Sequence, residues 1–248
     1  MNQVRFKPML LILVVGFVVA GCARDPGFTA SVISTLNTVG TGEQRVLIEL
    51  SDAEGDPLVV DSVPDATLRN EDGSPLGVYP GDLVWIVPDE VPAYAFVMDI
   101  PEPETYQVTV GVGGSGETPP AGFVAVADPL QVEAGEAVPD IDGEEVSGPA
   151  LVVFASPEWC PSRSCQPMID QAVAAASGSG ASFTQVEVFA NPEAGAEEEL
   201  TLAPVVEDWG LPSQPWLYVV EPGGVVAALF EGAVSDRELE RALESMTG

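Results

Sequence analysis

The sequence predicts two folded units in tandem, an all-β sandwich followed by an α/β fold. Three observations predict it. From Phe28 to about Val132, short alternating or apolar runs are separated by turn clusters rich in Gly, Pro and Asp. After Glu133 the pattern changes: a continuous apolar run, Ala150 to Ala155, suits a strand buried on both faces, and helical spacing begins to alternate with strands. The length, 248 residues of which 46% are hydrophobic, is enough for one large domain or two ordinary ones with real cores.

Residues 1–21 read as a leader. Arg5 and Lys7 give a positive start, and the apolar stretch Met9 to Gly21 is shorter than the ~20 residues of a spanning helix but suits a secretory signal. It ends in Val19-Ala20-Gly21-Cys22, which resembles the lipobox of bacterial lipoproteins: small residues at a cleavage site, followed at once by cysteine. The resemblance implies that Cys22 is acylated and becomes the new N-terminus, with residues 22–27 as a tether and the lipid bilayer as partner. Two or more acyl chains on one residue make a stable anchor. The expected location is the cell envelope, on the extracytoplasmic side of a membrane. The plainer alternative is an ordinary signal or short anchor with an incidental cysteine.

Residues 28–132 form the expected sandwich, at most Ig-like or fibronectin-like because no cysteine pair braces it. Strands are expected at Arg45 to Leu50, Leu83 to Val87, Tyr94 to Ile100, Tyr106 to Val112 and Phe123 to Ala127. Turns are expected at Asp52 to Pro57 and Asn70 to Pro75, and a loop from Gly111 to Pro120. The alternation of Asp52, Glu54 and Asp56 is incomplete for an EF-hand, which needs a bidentate Glu at its twelfth position. Hairpin turns rich in Asp and Gly are common without an ion, so no metal and no cofactor are expected.

Residues 133–248 form the α/β unit. Its expected order is a strand at Ala150 to Ala155, a helix at Met168 to Ala176, a strand at Phe183 to Phe189 and a helix at Glu197 to Trp209. A strand pair follows, Trp216 to Val220 and Val225 to Phe230, around Glu221-Pro222-Gly223-Gly224. The last element is an amphipathic helix from Ser235 to Met246, in which Ser235 and Glu238 make a capping box and Leu239, Ala242, Leu243 and Met246 form the apolar stripe.

Composition excludes several chemistries. There are 39 acidic residues against 8 basic ones, for a formal charge of −31. Such a field repels nucleic acid and anionic lipid. No histidine is present, which removes Ser-His-Asp and Cys-His catalysis and His-ligated metal. With Cys22 lipidated, Cys160 and Cys165 remain as a pair in a compartment where disulfides persist.

That pair lies in Phe154-Ala155-Ser156-Pro157-Glu158-Trp159-Cys160-Pro161-Ser162-Arg163-Ser164-Cys165-Gln166-Pro167-Met168. The stretch Leu151 to Ala155 followed by Trp159-Cys160 looks like the strand and Trp-Cys turn of the thioredoxin superfamily. Gly135 to Asp140 with Asp142-Gly143 looks like the leading segment of membrane-tethered thioredoxin-like and peroxiredoxin-like proteins. Ser213-Gln214-Pro215-Trp216-Leu217 looks like the family's cis-proline loop, and Glu221 to Val225 its following hairpin. The resemblance covers roughly residues 133–248 and implies a thioredoxin-like fold with Pro215 in cis beside the active site. Trp159, Gln214 and Trp216 are candidate groove residues on this basis, although Trp209 and Trp216 also read as plain core.

The cysteines depart from the family pattern, since the family has Cys-x-x-Cys and this chain has four residues between them. Two registers fit. In one, Cys160 is the nucleophile with a lengthened loop to Cys165. In the other, Cys165-Gln166-Pro167-Met168 overlays the family's Cys-Gly-Pro-Cys, Met168 replaces the second cysteine and Cys160 resolves. Cys165 is the favoured nucleophile: Gln166-Pro167 places proline in a first helical turn, leaving Cys165 at the helix N-terminus, which stabilises a thiolate. Positions i and i+5 on one helix face different ways, so pairing requires Cys160 to precede the helix. The family's buried acid is absent from Leu151 to Phe154.

The resulting expectation is a membrane-anchored thiol-disulfide oxidoreductase, with extracytoplasmic thiol proteins or another redox protein as partners. The rival is a non-catalytic binding or scaffolding lipoprotein whose thioredoxin-like domain carries a structural disulfide, because a fold does not carry its function with it. Thiol peroxidase activity ranks lower. Ser162 stands three before Cys165, but Glu158 occupies the position where that family has proline.

Overall fold

The computed structural model describes residues 27–113, 116–194 and 199–246. The leader and Cys22 lie outside them.

The first unit contains β1 (Phe28–Val32), β2 (Gly42–Asp52), β3 (Asp65–Arg69), β4 (Pro75–Val87), β5 (Val91–Ile100), β6 (Thr105–Gly111) and β7 (Ala121–Val124), hydrogen-bonded in the order β1-β2-β5-β4-β3-β6-β7. All pairings are antiparallel. β4 serves two layers: Pro75 to Pro80 pair with β3, whereas Gly81 to Val87 pair with β5. Gly81 sits at the crossover, where a Cβ would lie 2.7 Å from the Phe96 ring, so a side chain there would collide with the core. The two layers enclose one apolar core. Val46, Ile48 and Leu50 of β2 and Phe96, Met98 and Ile100 of β5 face Leu68 of β3 and Tyr106, Val108 and Val110 of β6. This period-two alternation is the signature of sheets packed on one face.

The second unit contains β8 (Ala150–Phe154), α1 (Cys165–Ser179), β9 (Ser182–Val186), α2 (Pro204–Asp208), β10 (Trp216–Val220), β11 (Val226–Glu231) and α3 (Asp236–Ser245). The strand order is β11-β10-β8-β9, with β8 and β9 parallel and the other pairs antiparallel, which is a thioredoxin-like arrangement. Both faces of the sheet are covered. Leu151 and Val153 face α1 and α3 beside Met168, Leu217 and Leu239. Val152 and Phe154 face the other way, onto Val205, Trp209 and Tyr218. That two-sided burial accounts for the unbroken apolar run in β8.

Several expected elements change length, β4 most among the strands, since it runs from Pro75 rather than Leu83; two helices matter for the site. The helix expected from Glu197 to Trp209 is only Pro204–Asp208 among the described residues. Thr201 and Leu202 are extended, with the Ala190 N–H donating to the Thr201 carbonyl and Phe189 bridging Leu202, and Pro204 then opens the helix at its first position. Conversely α1 begins at Cys165, three residues before the expected Met168.

The units pack through Leu47, Val84, Ala93 and Ala95, on the outward face of β2, β4 and β5, against Ala233. Around this patch lie ion pairs from Arg45 to Glu238, Arg163 to Glu90, and Arg237 and Arg241 to Asp82. The connecting strap is fixed at both ends: the Leu130 N–H donates to the Asn37 carbonyl and the Val132 N–H to the Trp209 carbonyl. Gly210, at φ +66°, lies so close beneath that a Cβ would sit 1.7 Å from the Leu130 carbonyl oxygen.

Candidate redox site

β8 delivers the chain to Ser156, a single 3-10 turn spans Pro157–Trp159, and Cys160 follows in extended conformation. The Trp159 indole N–H donates to the Pro192 carbonyl at 2.8 Å, which fixes the turn from the side. Residues 161–164 then loop back, with Arg163 at φ +60°, in the left-handed region that few non-glycine residues adopt. The loop lets Cys160 and Cys165 join in a disulfide with Cα atoms 6.1 Å apart.

The two sulfurs have different surroundings. Cys165 is the first residue of α1 and fully buried at 0% exposure, whereas Cys160 is half-buried. Met168 lies one turn further along α1, at 1% exposure, in the core. The start of α1 lacks an ordinary side-chain cap. Ser164 holds the N-cap position without making that bond, and its hydroxyl instead meets the Ser162 hydroxyl at 2.7 Å. The sulfur of Cys160 takes the vacant role, accepting the Cys165 backbone N–H at 3.2 Å. Ser162 Oγ stands 3.5 Å from the same sulfur. The helix-terminal donor that sequence reasoning assigned to Cys165 therefore points at Cys160, and accessibility also runs opposite to the sequence preference for Cys165.

Gln214 ties the site together. Its Oε1 accepts the Ser156 N–H at 2.7 Å and lies 3.6 Å from Cys165 Sγ, while its Nε2 donates to the Trp159 carbonyl at 3.1 Å. The Gln214–Pro215 peptide is cis. Trp216 is 2% exposed and stacks on Tyr218, with its indole N–H donating to Ser213 Oγ at 3.0 Å, so it belongs to the core beneath the loop rather than to the surface around the disulfide. Ser213 also donates to Glu231, whose carboxylate accepts the Thr35 N–H and hydroxyl from the first unit. Glu90, Thr35 and Glu231 carry no motif and could not be placed beside the cysteines from sequence, because that requires knowing how the units pack. Ser162 and Ser164 lay within the motif and could have been read as loop donors.

Away from the disulfide, burial pushes the Glu133 carboxyl above its usual range and, on the opposite face of the sheet, drives the Tyr218 hydroxyl far upward. Among the described residues no group of three or more Cys, Asp or Glu side chains is placed to hold a metal ion, and no helix is long and apolar enough to cross a membrane.

No protein-family model matches the chain, and no curated protein matches it. Among solved structures, a thio-disulfide isomerase from Thermus thermophilus is 24% identical over 46% of this chain and 97% of its own, with a TM-score of 0.36. The Lin-41 filamin domain is 16% identical over 40% of this chain and 93% of its own, at 0.25. A single-mutant thermostable endoglucanase from Alicyclobacillus acidocaldarius is 16% identical over 50% of this chain and 23% of its own, at 0.23.

Proposed function

We propose that this chain is a thiol-disulfide exchange protein working through Cys160 and Cys165, held by an acylated Cys22 on the extracytoplasmic side of a membrane. One observation carries the exchange reading. The disulfide joins a reachable sulfur to an unreachable one, and the reachable sulfur sits on the first amide of a helix. A partner thiolate attacks Cys160 Sγ, its sulfur bonds there, and the Cys160–Cys165 bond breaks. The electron pair leaves on Cys165 Sγ, which takes a proton from water. A second partner thiolate attacks the partner sulfur of this mixed disulfide and releases Cys160 as thiolate. The partner gains a disulfide and the chain two electrons; the reverse sequence reduces a partner. The amide stabilises the charge on Cys160 once it is released as thiolate, and Gln214 Oε1 is placed to accept a hydrogen bond from the reduced Cys165 thiol.

The finer reading of the first unit is an Ig-like domain, supported by its two antiparallel layers and shared core. A non-catalytic reading is favoured by one feature: among the described residues no titrating group is bonded to either sulfur. The midpoint potential separates the two. Thiol trapping in dithiothreitol buffers is expected to give a value between about −120 and −270 mV, the range of known oxidoreductases; a disulfide resisting reduction below about −300 mV would mark a structural clip.

A further inference from the structure

We infer that the first unit supplies one wall of the cleft beside the disulfide, and that this wall selects polypeptide thiols whose cysteine adjoins an aliphatic residue and a basic flank. The inference rests on the exchange reading above. A cavity of about 330 Å³ lies between the units. Its redox side is polar, formed by Ser162, Ser164 and Gln214, and its opposite side is aliphatic, formed by Ile33, Ile86 and Val91. These three are half-buried: Ile33 and Ile86 pack against the Leu47, Val84 and Ala233 patch, and with Val91 they also line the cavity.

Position makes the cavity part of the reaction site. Ser162 Oγ stands 3.5 Å from Cys160 Sγ, and Gln214 Oε1 stands 3.6 Å from Cys165 Sγ. A bound strand advances roughly 3.3–3.6 Å per residue. A partner whose cysteine engages Cys160 therefore brings the next side chain or two to the cavity. An aliphatic side chain suits the face made by Ile33, Ile86 and Val91, where a polar one would give up its hydrogen bonds to water without replacement.

Charge narrows the occupant. Glu49 and Glu231 line the cavity, and no arginine does. Glu231 is already engaged by Thr35 and Ser213, whereas among the described residues the Glu49 carboxylate receives a long contact from Ser51, at 3.4 Å. With a formal charge of −31 over the chain, an acidic segment is repelled and a basic flank is drawn in.

The test uses full-length protein in detergent and four thiols: dithiothreitol, and short peptides in which cysteine is flanked by Leu and Arg, by Gly on both sides, or by Leu and Asp. Rates of opening of the Cys160–Cys165 disulfide are read by quench and mass spectrometry. The Leu/Arg peptide is expected to react at least tenfold faster than the Leu/Asp peptide and severalfold faster than the Gly peptide. Ile86→Ala is expected to erase the advantage over Gly, and Glu49→Gln to narrow the gap between Arg and Asp peptides. Both variants should leave the dithiothreitol rate within twofold, which also reports that the site is intact. Equal peptide rates in the wild type, or preferences unchanged in both variants, would overturn the selecting wall while exchange itself stands. Failure of dithiothreitol to open the disulfide would sink the exchange reading and this one with it.

Discussion

Cys160 and Cys165 are chemically identical residues that the fold makes unequal, one reachable and one sealed. Cys165→Ser is expected to accumulate a mixed disulfide between Cys160 and any thiol partner, because no resolving sulfur remains. Cys160→Ser should give no adduct at all, since nothing reaches position 165. Non-reducing electrophoresis with mass mapping reads both, and an adduct on Cys165 would refute the assignment. Gln214→Leu leaves the Ser156 N–H and Trp159 carbonyl without their partner. A loss of about 1–3 kcal/mol of stability is expected from chemical denaturation, as for other polar groups left unsatisfied. The cysteines and the proline at 215 were legible because the motif names them. The direction of the helix-terminal N–H was not, since it depends on how the loop at Arg163 turns, and a left-handed arginine leaves no mark in sequence.

Elements built on local rules could be read best. Helix α3 announced itself through Ser235 and Glu238, and both halves of that capping box are present: Ser235 Oγ accepts the Glu238 N–H, and the Glu238 carboxylate accepts the Ser235 N–H. Ser235→Ala should cost about 0.5–2 kcal/mol, the usual worth of an N-cap, measured by denaturant titration. β8 was legible from its apolar run and β5 from its alternation. Residues 199–203 were misread because Glu199, Leu200 and Ala203 have good helix propensity, yet Asn191 holds the Thr201 N–H through its side chain and keeps the backbone extended. β1 and β3 were not anticipated. Each has only five residues, too few for a periodic signal to stand out, and each exists because a longer neighbour gives it a ladder.

Among the described residues, positive charge is scarce and concentrated where the units meet. Of the arginines at 45, 69, 163, 237 and 241, only Arg69 pairs within its own unit. The exposed pairs are worth little singly, but Arg45 is mostly buried, holds Glu238 at 2.6 Å, donates to the Ala233 carbonyl and lies over the Phe230 ring. Burial pushes the Glu238 carboxyl up, but the Arg45 charge and the surrounding hydrogen bonds outweigh it and hold the group below its ordinary value of 4.5. Its contribution to stability is therefore complete above that value and lost as pH falls through the lower folded one. Thermal melts should show stability falling below about pH 4.5, with Glu238→Gln flattening the slope. Glu133, raised by burial, acts the opposite way and gains stability on acidification. None of this pairing could be read from sequence, which shows a surplus of acid but not which carboxylates an arginine will meet.

The strap between Leu130 and Val132 has a further consequence. With its amides committed to both units and its carbonyl pressed onto Gly210, neither unit can lose its packing without disturbing the other. Scanning calorimetry should thus record one cooperative heat-absorption peak, with calorimetric and van't Hoff enthalpies in agreement. Gly210→Ala, which forces the strap away, should split that peak into two.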